Sequence, residues 1–287
     1  MKISSTDLIL NPDGSIYHLN LRPEHLADTI ITVGDPDRVA KVSQYFDSVE
    51  FKINKREFVT HTGTLNGKHL TVISSGIGTD NVEILMNELD ALVNIDLKTL
   101  EAKKNHKSLN IIRLGTSGSL QKDIPVDSYV ISEWGVGFDA LGFYYNSEIN
   151  QTTIDLKKDL NLEFMPYCNP AGFELFKLFV ETAPKNWFEG MTVTCPGFYA
   201  PQGRVLRYTP KIENLLQKMN GFYRNGISLT NLEMETAGYY LLGNILGHEV
   251  LSISAILANR MTNEFSQQPE KQVDSLIKYA LEKIISI

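Results

Sequence analysis

Ile31-Thr32-Val33-Gly34-Asp35-Pro36-Asp37-Arg38 is the stretch whose reading decides the fold. A β-branched run stops at Gly34, Asp35 is placed to cap, and Pro36 suits a first helical position. Arg38 then falls in the first turn of the segment that continues Val39-Ala40-Lys41-Val42. Amides exposed at such a helix start attract negative charge, and Arg38 adds a full positive charge beside them. A second junction, Ile111-Ile112-Arg113-Leu114-Gly115-Thr116-Ser117-Gly118, brings Arg113 to the end of a buried-looking strand, before a glycine turn with two hydroxyl donors, Thr116 and Ser117. Two oxyanion-holding junctions in one chain point to a phosphate that takes part in chemistry.

Working outward, apolar β-branched runs recur at Thr29 to Val33, Leu70 to Ser74, Leu109 to Leu114, Ser128 to Ser132, Gly190 to Thr194 and Glu249 to Leu257. Helical patterns separate many of them. After Gly76-Ile77-Gly78, Val82, Leu85, Met86 and Leu89 repeat at helical spacing, with Thr79 or Asp80 available as cap. Near the end, Val273, Leu276, Ile277, Ala280, Leu281, Ile284 and Ile285 form one apolar stripe. The alternation predicts an α/β fold with a mixed central sheet flanked by helices. No repeat or linker divides the chain, so residues 1–287 read as a single domain. The stretch from Gly135 to Trp187 is the least regular, and Tyr144-Tyr145-Asn146 and Pro166-Tyr167-Cys168-Asn169-Pro170 read as loops over a scaffold.

The 287 residues, 43% of them hydrophobic and 21% charged, suffice for one large core. A net charge of −7 without a long basic run argues against nucleic acid or an anionic membrane as partner. No stretch approaches a membrane span, and the first residues do not resemble a secretory signal, so a cytoplasmic location is expected. Cys168 and Cys195 are too few for a disulfide framework and read as reduced thiols.

Two further segments carry chemistry. Asn231-Leu232-Glu233-Met234-Glu235-Thr236 precedes an apolar run. On a helix Glu233 and Glu235 point to different sides, whereas in an extended approach they share a face. A carboxylate there suits a ribose diol and methionine suits a sugar face, while two solvated glutamates at a helix N-terminus, favoured by the dipole, are the plainer reading of the segment taken alone. Gly197-Phe198-Tyr199-Ala200-Pro201-Gln202-Gly203-Arg204 gathers an aromatic, an amide and a guanidinium. Gln202 donates and accepts at once, as a planar base edge requires, and Arg204 supplies directed donors; a surface turn with an exposed arginine is the alternative.

Taken together, these segments, with Arg56-Glu57-Phe58 and Asn259-Arg260, resemble the nucleoside phosphorylase family, and within it the uridine phosphorylases most. The resemblance runs from about His18 to Arg260. It implies a three-layer sandwich and reversible cleavage of the N-glycosidic bond by inorganic phosphate, the co-substrate, giving a free pyrimidine base and a pentose 1-phosphate. By resemblance, Gly34, Arg38, Arg56, Arg113 and Thr116 hold phosphate. His18, Thr116, Met234 and Glu235 hold ribose, and Ser117, Gly118, Phe198, Gln202, Arg204 and Arg260 face the base. Arg113, Gln202, Arg204 and Glu235 carry the chemistry. Arg56 and His18 would come from a neighbouring subunit, so a homodimer or a hexamer built as a trimer of dimers is implied. Read alone, His18 is an ordinary histidine.

Some positions depart from the family. Purine-cleaving members place an aspartate after the late strand, whereas Ser254-Ala255-Ile256-Leu257-Ala258-Asn259-Arg260 has no carboxylate, which favours pyrimidine. The family's monovalent cation, K+ or Na+, would lie near Glu57, Ile77 and Asn81, but Asp80 and Asn81 replace the usual proline and serine. No other cofactor is implied. The competing readings are a purine nucleoside phosphorylase, a hydrolytic nucleosidase and a nucleoside-binding protein without turnover. Three arginines around the nucleophile count against hydrolysis.

Overall fold

The structure, a computed structural model, describes residues 2–145, 147–224 and 226–286. Strand β1 (Thr29–Val33) is buried along its whole length, and Asp35 accepts the Asp37 amide at 3.0 Å to start α1 (Pro36–Ser43). The hairpin strands β2 (Ser48–Lys55), β3 (Phe58–Leu65) and β4 (Lys68–Ser74) follow. Helix α2 (Thr79–Asn94) is next, and its N-cap is Gly78, with no side-chain cap, rather than Thr79 or Asp80. After the short pair β5 (Ile95–Asp96) and β6 (Glu101–Ala102) comes β7 (Asn110–Ser119). That strand runs straight through Gly115 to Gly118, where the sequence suggested a turn, because β13 pairs with it along that whole length and β12 joins its other edge at Gly118.

The stretch expected to be loops is more regular than it reads. It holds the end of β8 (Tyr129–Gly137), then α3 (Gln151–Asp159), β9 (Tyr167–Pro170) and α4 (Phe173–Glu181). Asn150 caps α3 by accepting the Thr153 amide at 3.0 Å. Of the proposed loop Tyr144-Tyr145-Asn146, Asn146 lies outside the described residues. The chain closes with β10 (Trp187–Thr194), α5 (Leu215–Gly221), β11 (Tyr223–Arg224), β12 (Ile227–Glu233), α6 (Thr236–Leu246), β13 (Glu249–Asn259), β14 (Glu264–Phe265) and α7 (Pro269–Ile284).

All the strands but the β5–β6 pair form one mixed sheet, ordered β11-β12-β10-β8-β13-β7-β1-β4-β3-β2, with β9 added on β8 and β14 on β13. In addition, β12 pairs antiparallel with β7 at Asn231↔Ser119 and Leu232↔Gly118. The five strands β7, β13, β8, β10 and β12 therefore close on themselves at one end. Helices cover both faces, as the three-layer expectation requires. On one, α1, α4 and α7 pack over Ile31, Val33, Ile112 and Leu114. On the other, α2 and α6 pack over Ile30, Ile73 and Ile111. The stripe on α7 buries Val273, Leu276, Ile277, Ala280, Leu281 and Ile284, each larger side chain contributing about 1.5–3 kcal/mol. Cys168 and Cys195 are free and buried in a third cluster. Among the described residues no helix is long and apolar enough to cross a membrane.

Candidate active site

Where β1, β7, β12 and β13 end, a cavity of about 860 Å³ opens. In mixed α/β sheets such a crevice at the strand ends is where ligands bind. Its lining gathers Gly34, Arg38, Arg113, Thr116, Ser117, Gly118, Phe198, Gln202, Arg204, Met234 and Glu235. Eight of these come from three distant segments that only the sheet register joins.

At one end, Arg38 occupies the first turn of α1 and donates Nη1 to the Leu114 carbonyl at 3.3 Å. Burial lowers its pKa, Asp35 opposes this, and the nearby charge of Arg113 adds to it. Arg113 is buried, and its Nη2 lies 2.6 Å from Glu235 and 2.8 Å from Glu233, with Nη1 toward the Ser252 hydroxyl at 3.2 Å. Burial alone would lower the Arg113 pKa, but the two carboxylates outweigh it and raise it. Gly115 lies directly beneath this guanidinium: a Cβ there would stand 2.1 Å from Nη1.

Glu233 ends β12 and Glu235 is the N-cap residue of α6, so the approach is extended and both carboxylates reach one arginine. Glu233 is saturated by the Thr194 hydroxyl at 2.6 Å and the Glu235 and Thr236 amides at 2.9 and 3.0 Å. Glu235 also accepts the Gly78 amide at 2.9 Å, tying the Gly-Ile-Gly turn to the cavity. Burial pushes the Glu235 carboxyl up, Arg113 opposes that shift, and Glu233 adds to it. Met234 lies between them on the lining.

At the other end, Arg204 stacks over the Phe198 ring at 3.7 Å and donates to the Phe198 carbonyl at 2.6 Å and to Gln202 Oε1 at 2.5 Å. Gln202 therefore offers its amide Nε2 to the cavity, and not both edges as its sequence context suggested. Burial and the charge of Arg260 lower the Arg204 pKa to about 10. Arg260 is not on the lining; it stands behind Gly118 and donates to the Gln202 carbonyl at 3.1 Å. The Ser117 hydroxyl accepts from Asn231 at 2.8 Å, leaving its hydrogen to donate, and the Thr116 hydroxyl has no partner among the described residues. Leu114 and Gly118, which mark the two ends, are four residues apart on β7, or about 13 Å.

Arg56 and His18 lie elsewhere. Arg56 is exposed at the tip of the β2–β3 hairpin with φ 57°. Its guanidinium sits 5.7 Å over the Tyr17 ring, and the His18 ring meets the same tyrosine edge-on at 4.8 Å. The two form one patch outside their own chain's cavity. The proposed cation residues Glu57, Ile77 and Asn81 do converge on the lining. The Asn81 amide nitrogen donates to the Ile77 carbonyl at 3.3 Å, which occupies one of that oxygen's two lone pairs. A second cluster, Asp90, His106 and His248, does not fit a metal. His248 Nδ1 accepts the Leu109 amide at 3.2 Å, so Nε2 carries the proton and has no lone pair for an ion.

Sequence reasoning missed the arginine-bridging role of Glu233, the Gly78 amide, and the apolar walls Leu257 and Phe265. The pairing of Glu233 and Glu235 in an extended approach was the one readable signal among these.

Residues 28–286 match the phosphorylase superfamily model, and the chain belongs to that superfamily. It is similar to a uridine phosphorylase of Thermococcus kodakarensis, 28% identical over 94% of this chain and 87% of that protein. It is also similar to a DeoD-type purine nucleoside phosphorylase of Clostridium perfringens, 26% identical over 94% and 99%. Among solved structures, a Trypanosoma brucei nucleoside phosphorylase described as showing uridine phosphorylase activity superposes with a TM-score of 0.88, at 28% identity and covering 98% and 100% of the two chains.

Proposed function

We propose that this chain catalyses the reversible phosphorolysis of a pyrimidine nucleoside, uridine or deoxyuridine, to free base and (deoxy)ribose 1-phosphate. The observation that carries the reading is the set of groups lining one cavity: two arginines, a buried carboxylate paired with one of them, and an amide and guanidinium beside an aromatic face. Phosphate, held by the Gly34 amide, Arg38, Arg113 and Thr116, attacks C1′ as the C1′–N1 bond breaks. The bonding pair leaves on the base, whose charge Gln202 Nε2 and Arg204 stabilise, and solvent then protonates it. Glu235 and Met234 hold the sugar. The late-strand residues on the lining, Leu257 and Ala258, carry no acid, and the Asn259 amide is spent on the Gln121 and Ile124 carbonyls, both at 2.9 Å, which favours pyrimidine over purine.

Within one chain Glu233 and Glu235 together cancel the charges of Arg113 and Arg38, so a phosphate dianion needs another cation. We infer that Arg56 of a second copy supplies it and that His18 of that copy reaches the ribose 5′-hydroxyl, in a dimer or trimer of dimers. A cytoplasmic location and the absence of a cofactor beyond phosphate belong to the same proposal.

Uracil release from uridine tests the reaction. Release that requires phosphate is expected. Release without phosphate would mean hydrolysis, none under any condition would mean a binding protein, and faster turnover of inosine would restore the purine reading. For the shared site, mixing inactive Arg56→Ala and Arg113→Ala subunits is expected to restore activity through mixed dimers; no recovery in assemblies that do exchange subunits would refute it.

A further inference from the structure

Glu88 on α2 is a buried carboxylate with no part in the chemistry described above. It accepts the His18 and Leu19 amides at 3.1 and 2.9 Å and meets His18 Nδ1 at 2.6 Å. A carboxylate so close to Nδ1 fixes the proton there, which leaves Nε2 as a lone pair. Nε2 has no partner among the described residues, and the side chain is 27% exposed. The segment carrying His18 is itself short and tightly turned, with the Ile16 amide donating to the Leu21 carbonyl at 2.8 Å. Lys55 adds a further tie from the β2–β3 hairpin by donating to the Tyr17 carbonyl.

We propose that Glu88 is a positioning residue for ribose recognition: it holds the His18 ring in one tautomer and one direction, so that Nε2 accepts a hydrogen bond from the substrate 5′-hydroxyl in the neighbouring subunit's cavity. This rests on the reading of His18 given above. The two backbone amides fix the carboxylate against the loop, so the ring cannot rotate without giving up its own contact with Oε1. The geometry is that of a histidine aligned through its far nitrogen.

The test compares kcat/KM for uridine and 5′-deoxyuridine, in saturating phosphate, for the parent, His18→Ala, Glu88→Ala and Glu88→Gln. The parent is expected to prefer uridine by about three- to tenfold, one hydrogen bond's worth. Glu88→Ala is expected to erase that preference as His18→Ala does, while 5′-deoxyuridine turnover stays within about twofold of the parent. Should Glu88→Ala fail to fold, Glu88→Gln carries the same expectation, because its single carbonyl oxygen cannot serve three donors. Equal losses on both substrates, or an intact preference, would overturn the proposal. If His18→Ala itself keeps the preference, the sugar contact is wrong and the role of Glu88 falls with it.

Discussion

Arg113 and Glu235 stand 122 residues apart in the chain and meet at 2.6 Å in the interior, whereas Phe198, Gln202 and Arg204 find one another within six residues, with Gln202 buried beneath an exposed Phe198. The phosphate end is thus assembled by sheet register, from strands whose neighbours are fixed by ladders on both sides. The base end is a local loop with a short helical turn at Ala200–Gln202. A reaction common to many substrates belongs on the rigid, non-local part, and selectivity on the part that changes without disturbing the core.

Substitutions can break this contrast. Arg113→Ala has the largest expected effect: it leaves Glu233 and Glu235 buried without a cation, costing about 3–5 kcal/mol of stability. It should also lower kcat/KM for phosphate by about 10³-fold. Thermal melts and phosphate titrations read both; unchanged phosphate affinity would remove Arg113 from the phosphate site. Gln202→Ala is expected to cost about 10²-fold in kcat/KM for uridine, to lower the melting temperature far less than Arg113→Ala, and to leave phosphate KM unchanged. A large loss of stability would mean that the base end is as integral to the fold as the phosphate end.

Gly115→Ala sharpens the comparison. Its Cβ falls on Arg113 Nη1, so the guanidinium must shift while its carboxylate partners stay, and phosphate KM should rise about tenfold with base selectivity unchanged. The smallest effect is in pH. Glu235 is pushed upward by burial, so it gains its proton at a higher pH than an ordinary carboxyl, and sugar binding is present above that point and lost as pH falls through it. An acid-side decline of a few-fold in kcat/KM is expected in the parent and in Gln202→Ala, and its absence in Glu235→Gln. A decline that survives in Glu235→Gln would assign the proton to another group.

The same contrast explains what the amino-acid sequence made legible. The β1–α1 junction was readable because its determinants are neighbours: Asp35 caps, Pro36 starts the helix and Arg38 follows in its first turn. Gly115 to Gly118 read as a turn because glycines usually break strands, but here the ladder to β13 holds the backbone extended along the whole stretch. Helix α3 carried a local signal that went unread, the Asn150 and Thr153 pair that satisfies each other's backbone. In α4, Phe173-Glu174-Leu175-Phe176-Lys177-Leu178-Phe179-Val180 is apolar on too many sides for a clear period. The candidate residues Gly34, Arg38, Gln202 and Arg204 were legible from their own segments. That Glu233 bridges to Arg113 left only the trace of two carboxylates on one face of an extended approach, and that Phe265 walls the cavity depends on pairing across the sheet and has no local trace.

The most direct test of phosphate as the nucleophile is phosphorus NMR of the protein incubated with uridine and inorganic phosphate. A ribose 1-phosphate resonance growing in step with free uracil is the predicted result. Uracil accompanied by free ribose, with the inorganic phosphate signal unchanged, would contradict it.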